Sequence, residues 1–595
     1  MATAEAVDGI PRASPESRGV HSSRILEFLQ DGRAKNVEFN CFMLYRGGAV
    51  ISEGWWYPYQ PQLRHMMHSA TKSFLSVAVG MAIHEGYFTL QDKAISFFAD
   101  HVPNDNQDPK LASLTVEDLL TQTSGHDRGA SGGTWRSVKT SWIAEFFKIP
   151  IVHQPGTFFK YTSATSFLLS AIIHRTTGQS TWQFLMPRLF QPLGITDLEW
   201  DVGPERINPG GNGISCRSSD LLKLAILHLN GGIWEGQRLL PEEWVKNATT
   251  SQRGAEYGYH WWIGKNSARS YYAYGLFGQF AFVFPEHDAI LLTTASTPVD
   301  ERDLRDLVWH HFPGVLGESP AALPETQDGD LEKFLQSPQV PIPLPRALAV
   351  SKETTPRRFL FLATANADNV TSFSLDFDSK GGCTFHLRDS RGLHRVNVGV
   401  TNWVAGETTM SGAMLHHGYE PAVLRVSAFG QWLSAEKFIM YWQFMETAFR
   451  DCVSITILDG QTAVLERGVN VNSFATQRPP VLAHIVEDNR GLLNPGLQPT
   501  ERGRLQKPPK YAGLMRTVPY STSTSAVGEL LDDAKTRDIL AQVLPQEVVK
   551  RCETPAWDPY TLATISKHTP TVGEEELRKI AAGLEKLPIL RIETE

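Results

Sequence analysis

Cysteine is scarce in this chain, with five residues among 595. No two of them are spaced as C-x-x-C, so the sequence predicts neither a zinc knuckle nor a redox dithiol. A framework of disulfides is not expected in a chain of this length. We therefore expect reduced, mostly buried thiols and no metal site. The five residues are Cys41, Cys216, Cys383, Cys452 and Cys552.

Long apolar runs and long basic runs are also missing. The 56 Lys and Arg residues against 64 Asp and Glu residues leave a net charge of −8, which disfavours nucleic acid or an anionic membrane as the main partner. No run approaches the ~20 apolar residues of a membrane-spanning helix, and the first residues lack the apolar segment of a secretory signal. The sequence thus predicts a cytoplasmic protein without nucleic-acid or membrane partners.

The chain is long enough for several domains. At roughly 100–200 residues per domain, its length predicts about three or four, and a hydrophobic content of 42% suffices for a buried core. Seven prolines between Phe312 and Pro345 indicate an extended, semi-rigid linker. The predicted parts are a first domain at residues 10–312, a proline-rich linker at 313–356, a β-rich domain at 357–490 and a small helical domain at 510–595.

Hydrophobic patterning predicts both helices and strands in the first part. A hairpin is expected over residues 39–56. From Ser69, an apolar stretch without proline predicts a helix that ends near Gly86 and is buried on nearly all sides. Thr115 is predicted to cap a further helix. Other predicted elements are helices at Ser166–Thr177 and Ser219–Leu229, strands at Tyr257–Ile263, Tyr271–Tyr274, Gln279–Phe284 and Ala289–Thr294, and a hairpin turn at Asp459-Gly460.

Ser69-Ala70-Thr71-Lys72 forms an S-x-x-K pattern at the start of the predicted buried helix. Positions three apart share a helix face, so the hydroxyl of Ser69 should lie beside the amine of Lys72. A serine nucleophile needs an adjacent base, and burial lowers the pKa of a lysine until its amine can accept a proton. The alternative is a capped, buried helix whose lysine reaches toward solvent.

Two later segments contain residues that would complete such a site. Tyr161 precedes an apolar helix, and a tyrosine near Ser69 and Lys72 could relay a proton. The alternative role for this tyrosine is to close a loop over the core. The glycines within Tyr274–Phe280 permit close backbone approach, and the amide of Gln279 is predicted to join that of Ser69 as an oxyanion hole.

Other serine and histidine patterns are weaker. A second S-x-x-K, Ser434–Lys437, lies in ordinary amphipathic sequence. Gly129–Gly133 fits G-x-S-x-G, but it lacks the strand before and the helix after that this motif needs. His65 and His68 flank two methionines just before Ser69. Packing or hydrogen bonding is the favoured role for His68, with a catalytic base as the alternative.

The three segments, in this order, resemble the serine β-lactamase and penicillin-binding-protein superfamily, and most closely its esterase-like and class C β-lactamase-like branch. That family is marked by S-x-x-K, then Y-x-N or Y-x-S, then a K-T-G or H-x-G strand. The resemblance covers roughly residues 10–312. It extends to PRASPESRG, LTVEDLLTQTSG, PGTFFKYTSATSFLLSAII, LFQPLGI, and YGYHWW followed by FVFPEHDAILL.

The resemblance implies an α+β fold, in which an antiparallel sheet is flanked by helices and joined to an all-helical subdomain. It also implies that Ser69 is the acyl-accepting nucleophile and that Lys72 and Tyr161 form its proton network. Ser163 takes the place of the Asn in the Y-x-N motif.

The third motif departs from the family pattern. Where the family has Lys or His, this chain has Leu276, followed by Phe277 and Gly278. A cation there would engage a substrate carboxylate, so its absence disfavours β-lactams and D-Ala-D-Ala peptides. It leaves room for an apolar acyl or alcohol group.

These features predict a serine hydrolase that cleaves carboxylic esters, or small amides, of small-molecule substrates through an acyl-serine intermediate, without a metal or organic cofactor. The alternatives are an amidase of the D-aminopeptidase or aminohexanoate-oligomer type, an acyltransferase, and a catalytically silent binding protein. The β-rich part resembles lipocalin-like domains that often follow this catalytic domain, and the last part resembles helical units appended to hydrolases. Both are expected to be structural or to shape substrate access, and the oligomeric state is left open.

Overall fold

The computed structural model of the chain contains two compact units. The first comprises residues 1–341 together with 446–448, and the second comprises residues 342–445 and 449–595. The finer division at residues 312, 356, 490 and 510 stays a prediction. The structure describes residues 8–102, 108–129, 136, 138–265, 269–298, 302–317, 321–324, 329–336, 339–340, 357–379, 382–400, 402–410, 412–488, 491–493, 505–506, 510, 519–553, 557, 560–566, 569 and 571–589.

An antiparallel six-stranded sheet with the order β2-β1-β11-β10-β9-β8 forms the centre of the first unit. The predicted hairpin is confirmed, since the two strands pair from Cys41 opposite Trp55 to Arg46 opposite Ala49. The strands of this unit are β1 (Phe39–Arg46), β2 (Ala49–Trp55), β3 (His65–Met66), β4 (Glu199–Trp200), β5 (Ile214–Cys216), β6 (Ile233–Trp234), β7 (Gln237–Arg238), β8 (Trp262–Ile263), β9 (Tyr271–Gly275), β10 (Gln279–Phe284) and β11 (Ala289–Ala295).

Helices of this unit pack against the sheet and against one another. They are α1 (Ser22–Ala34), α2 (Thr71–His84), α3 (Pro109–Ser113), α4 (Val116–Leu120), α5 (Trp142–Lys148), α6 (Ser163–Thr177), α7 (Thr181–Leu185), α8 (Ser218–Leu229), α9 (Glu242–Ala248), α10 (Arg302–His311) and α11 (Asp330–Leu335). The predicted cap at Thr115 is confirmed: its side chain accepts a hydrogen bond from the Asp118 amide, and Asp118 Oδ2 accepts one from the Thr115 amide.

Helix α2 is buried on nearly all sides, as its sequence predicts. Every residue from Thr71 to Ala82 is buried, and the helix packs against α6 and α7. Gly80 lies in its interior, where glycine ordinarily weakens a helix. A side chain has no room at this position, because a Cβ at Gly80 would lie 2.6 Å from the indole ring of Trp244 on α9. The glycine therefore lets the indole ring pack directly on the helix backbone.

Two predictions about this unit are wrong in part. Tyr257–Ile263 does not form one strand: Tyr257 pairs instead with Trp262 across a turn in which His260 has φ of 64°. A Cβ at Gly258 would collide with the backbone oxygen of Ala248, so tertiary packing bends the chain here. Within the stretch predicted as an extended linker, residues 330–335 form α11, whose Leu331 is buried.

The second unit contains a closed antiparallel sheet. The order β12-β13-β14-β15-β17-β18-β19-β20-β21 returns to its start because β12 also pairs with β21. The weakest junction lies between β15 and β17, which share one parallel pair, Gly399 opposite Phe429. The strands are β12 (Arg357–Ala363), β13 (Ser372–Phe377), β14 (Gly382–Asp389), β15 (Gly392–Gly399), β16 (Val404–Thr408), β17 (Leu424–Trp432), β18 (Lys437–Phe444), β19 (Arg450–Ile457), β20 (Thr462–Val469), β21 (Val481–Asp488) and β22 (Gly491–Leu492).

A small helical group follows the closed sheet. It comprises α12 (Val527–Asp532), α13 (Ala534–Val543), α14 (Gln546–Cys552), α15 (Leu562–Ser566) and α16 (Glu574–Leu584). Their apolar faces share one core that includes Leu530, Leu540 and Ile580. The predicted α+β class is therefore confirmed, with a helix-flanked sheet, then a β-rich domain that fits a lipocalin-like one, then a helical unit.

Two further expectations concern the whole chain. All five cysteines are free, and all but Cys452 are buried, as expected of reduced thiols. Among the described helices, none combines the length and apolar character needed to span a membrane.

We predict that Gly80→Ala lowers the free energy of unfolding by about 1–3 kcal/mol, because the added methyl group overpacks the indole ring of Trp244. In an exposed helix interior the same change would stabilise by roughly 0.5–1 kcal/mol. Chemical denaturation followed by circular dichroism measures the difference. In a Trp244→Leu background the penalty should disappear, and a penalty of equal size in that background contradicts the packing explanation.

Candidate active site

Ser69 lies on a single 3₁₀ turn, His68–Ala70, between β3 and α2. Strand β3 is held by β5, and the Met67 amide donates to the backbone oxygen of Ile214. His68 then takes φ of 45°, which redirects the chain into the helix. Ser69 is half-buried, whereas His68 and Ala70 on either side of it are buried, so Ser69 is the partly accessible residue of this turn.

Lys72 lies one turn further along and is almost completely buried, with 2% of its surface exposed. Its Nζ is 3.3 Å from Ser69 Oγ, 3.2 Å from Ser163 Oγ and 2.7 Å from the backbone oxygen of Gly211. Burial penalises the ammonium form and lowers the pKa of Lys72 to about 7. The S-x-x-K spacing therefore brings the two side chains together as predicted.

The three partners of Lys72 Nζ differ in what they can do. As an ammonium, Lys72 donates to all three oxygens. As a neutral amine it keeps two N–H groups and gains one lone pair. The backbone oxygen of Gly211 can only accept, so it holds one N–H group, and Ser163 Oγ can hold the other. The lone pair is then available to accept the proton of the Ser69 hydroxyl.

Tyr161 approaches the same amine from the second segment. Lys72 Nζ lies 4.6 Å from the centroid of the Tyr161 ring, within the range of a cation–π contact. The ring also packs against Tyr257 and Trp262, at centroid distances of 6.1 and 5.4 Å. Ser163, two residues on, begins α6 and is buried. The amine of Lys72 is thus surrounded by the side chains of Ser69, Tyr161 and Ser163. The catalytic roles of these four residues stay predictions.

The third segment passes close to the turn that carries Ser69. A Cβ at Gly275 would collide with the backbone oxygen of Met67, and this glycine therefore permits the close approach of β9. Beyond it, Phe277 has φ of 70° and is fully buried. Its ring packs edge-on against the ring of His68, with the two centroids 5.2 Å apart. Leu276 stays half-buried in the same turn.

Gln279 begins β10 opposite Gly275. Its side chain donates to the backbone oxygens of Leu276 and Ala295 and accepts from the Ala295 amide, which fixes the turn. Gly278, with φ of 101°, lies against Ala295 and has no room for a side chain. The structure thus places the third segment beside the first, and the oxyanion role of the Gln279 amide stays a prediction.

Sequence reasoning missed the segment that supplies a partner to Lys72. Gly211 belongs to Pro209-Gly210-Gly211-Asn212-Gly213. A Cβ at Gly211 would lie 2.9 Å from Cβ of Ser163, so only glycine lets this backbone reach the amine. The signal in the sequence is that three of these five residues are glycine. A sequence motif identifies side chains, so it could not show that a backbone oxygen contacts Lys72.

The burial of the histidines near Ser69 favours packing roles for them. Burial lowers the pKa of His65 to about 3, so it stays neutral, and its ring packs against Tyr59. His68 is buried against Phe277. A third histidine, His260, was not singled out by sequence; burial and then the charge of Lys72 lower its pKa to about 3.

Of the two competing serine patterns, the structure describes the second S-x-x-K. Ser434 Oγ accepts from the amides of Glu436 and Lys437 in the turn between β17 and β18, and Lys437 Nζ lies 3.9 Å from Glu466. This second S-x-x-K has no helix. Ser131, in the G-x-S-x-G pattern, lies outside the described residues.

Within the described part of the chain, one set of side chains, Asp31, His310 and His311, brings three potential metal-ligand atoms within 4.8 Å of one another. Asp31 lies on α1, and His310 and His311 lie on α10, so none of them is on the elements that carry Ser69. Asp31 Oδ2 is already bound by Lys35 Nζ at 2.8 Å and by His311 Nε2 at 3.0 Å, so an ion pair explains the cluster.

We predict that the reaction of Ser69 with a fluorophosphonate rises with pH through about 7. Below the lowered pKa Lys72 is protonated and cannot accept the serine proton; above it the amine is neutral and the rate levels off. Rates of labelling between pH 5 and 10 measure this. Lys72→Arg, which stays charged throughout, should react slowly at every pH. A rate that is constant or falls over this range contradicts the role of Lys72.

Comparison with known proteins gives a consistent result. Residues 40–311 match the family model described as Beta-lactamase. A 6-aminohexanoate-dimer hydrolase from Paenarthrobacter ureafaciens is 24% identical over 312 residues, which cover 48% of this chain and 78% of that protein. A lovastatin esterase from Penicillium rubens is 29% identical over 155 residues, covering 22% of this chain and 38% of that protein.

A solved structure of a penicillin binding protein from Bacillus halodurans aligns with 48% of this chain and 100% of its own, at 15% identity and a TM-score of 0.39. The family match includes all three sequence segments and the turn that begins α2. Residues 40–311 belong to the serine β-lactamase and penicillin-binding-protein-like superfamily.

Proposed function

We propose that this chain is a serine hydrolase that cleaves carboxylic esters or small amides through an acyl intermediate on Ser69. The observation that carries the proposal is the buried amine of Lys72, 3.3 Å from Ser69 Oγ, with its pKa lowered to about 7 by burial. A lysine in that state can act as a general base at neutral pH. The relatives support the same class, since one is named as a hydrolase and another as an esterase.

In the first step Ser69 Oγ attacks the carbonyl carbon of the substrate while its proton passes to the lone pair of Lys72. A tetrahedral intermediate forms, and its oxyanion is stabilised by the amides of Ser69 and Gln279. The bond to the leaving group then breaks, and the proton reaches that group from Lys72 or from the Tyr161 hydroxyl. The products are an alcohol or an amine and an acyl group on Ser69.

In the second step water attacks the acyl carbon. Its proton is taken by the network of Lys72 and Tyr161 and is returned to Ser69 Oγ as the ester bond breaks. The carboxylic acid leaves and the enzyme is restored. An acceptor alcohol in place of water would give acyl transfer.

The third segment favours neutral substrates. Leu276–Gly278 supplies no cation next to the turn that carries Ser69, so a substrate carboxylate would be desolvated there without a partner. Burial removes Phe277 from the accessible surface, whereas Leu276 is half-buried and can border an apolar group. Esters with apolar acyl groups are therefore the leading substrate class, followed by small amides.

A catalytically silent binding protein is the second candidate, and the altered third segment favours it. The arrangement around Lys72 argues against it, because a binding protein has no use for a neutral amine beside a serine hydroxyl. Covalent labelling separates the two candidates.

We expect Ser69→Ala to abolish labelling by a fluorophosphonate and to lower ester hydrolysis by at least about 10³-fold, because the acyl acceptor is lost. Mass spectrometry of the labelled peptide and steady-state kinetics measure this. Ser434→Ala is the matched control from the second S-x-x-K and should retain full activity. Labelling that survives in Ser69→Ala, or is lost in Ser434→Ala, overturns the assignment.

Neutral substrates should be preferred over carboxylate-bearing ones. For two p-nitrophenyl esters of equal acyl length, with and without a terminal carboxylate, we expect the neutral ester to have a kcat/KM at least about tenfold higher, which equals roughly 1.4 kcal/mol. Nitrocefin and a D-amino acid anilide extend the comparison to β-lactams and amides. Higher kcat/KM for the carboxylate-bearing ester contradicts the proposed substrate class.

A further inference from the structure

We infer that Gln122 is a positioning residue that sets the place of Tyr161 in the site. The inference rests on the proposed function, since it assigns a partner to the tyrosine of that mechanism. Gln122 is fully buried and follows α4. It touches neither Ser69 nor Lys72 through any hydrogen bond that the structure records, so its effect must pass through the segment that it holds.

Gln122 holds the chain on both sides of Tyr161. The backbone oxygen of Gln122 accepts from the Lys160 amide at 2.8 Å. Its side-chain Oε1 accepts from the Thr162 amide at 2.7 Å. One residue thus fixes the peptide before and the peptide after the tyrosine, and the Tyr161 side chain can change its position only by breaking one of these bonds or by rotating.

The orientation of the Gln122 carboxamide is determined by its partners. A backbone N–H can only donate, so the group facing Thr162 must be Oε1, and Nε2 must point away from it. Nε2 lies 3.4 Å from Ser166 Oγ, which lies 3.1 Å from His260 Nε2. His260 stays neutral because burial lowers its pKa. Ser166 and His260 therefore form a buried chain of hydrogen bonds that holds Nε2 of the carboxamide.

The backbone of Gln122 indicates that this side chain is needed. Its φ is 59°, in the left-handed region where a residue other than glycine, asparagine or aspartate is uncommon. Glycine would relieve that conformation but would provide no acceptor for the Thr162 amide. Strained backbone of this kind persists where the surrounding structure requires it. Here the requirement is the bond to Thr162 next to a tyrosine that lies over the amine of Lys72.

The test is a double-mutant cycle that uses the acylation rate of Ser69 as its readout. Gln122→Met removes the acceptor at similar side-chain length, and we expect the second-order rate constant to fall by about 10–100-fold, the size of loss that small misplacement of a catalytic group causes. In a Tyr161→Phe background the same substitution should change the rate by less than about twofold, because the group that it positions is gone.

Two further variants make the outcome decisive. Ser166→Ala removes the hydroxyl that contacts Nε2 of Gln122. The rate constant for acylation should fall less than in Gln122→Met, and this fall should also disappear in a Tyr161→Phe background. Ser166→Ala replaces Gln122→Met in the test if the latter does not fold. Gln443→Met removes another buried glutamine, in the second unit, and should leave the rate unchanged.

A loss in Gln122→Met that is equally large in Tyr161→Phe overturns the inference, because it shows a general structural effect. Full activity of a folded Gln122→Met overturns it as well. The proposed function fails in a different way, through acylation that does not depend on Ser69. The two failures are therefore distinguishable with the same labelling reagent.

Discussion

A buried amine is the constraint on which the catalytic unit depends. An ammonium group removed from water is costly unless it is neutralised or paired. In the part of the chain that the structure describes, the hydrogen-bond partners of Lys72 include no carboxylate. Its partners are one backbone oxygen and two hydroxyl groups, and none of them brings the negative charge that would offset the burial of an ammonium. The apolar surroundings of α2 therefore do more than stabilise the fold: they bring the pKa of the amine to the range in which proton transfer at neutral pH becomes efficient.

Glycine determines how closely the other segments can approach that amine. Gly211 allows a backbone oxygen to reach Lys72, and Gly275 allows β9 to pass beside the turn of Ser69. Gln122 has the opposite property to glycine. Its long polar side chain spans the distance from the segment after α4 to the segment of Tyr161. The candidate site is thus assembled from separate parts of the chain, and the distances between them depend on backbone contacts as much as on the side chains that surround the amine.

The sequence predicts what is local, and it does so for physical reasons. The hairpin of β1 and β2, the cap at Thr115 and the pairing of Ser69 with Lys72 all depend on short-range patterns. The turn around His260 could not be predicted, because it follows from distant contacts such as the bond from Ser73 Oγ to the His260 backbone oxygen. Gly211 and Gln122 were missed because backbone oxygens and amide bridges have no spacing rule. Helix α11 was missed because nearby prolines outweighed a short helical pattern.

The closed sheet of the second unit has a consequence for how that unit moves. Eight of its junctions are antiparallel ladders, but β15 and β17 meet through the single pair of Gly399 and Phe429. A cylinder with one such seam opens there at the lowest free-energy cost, since the fewest hydrogen bonds are lost. On the β17 side, the ladder with β16 covers part of this edge. Backbone amides of β15 that border the seam should therefore exchange with solvent before those of β18 and β19.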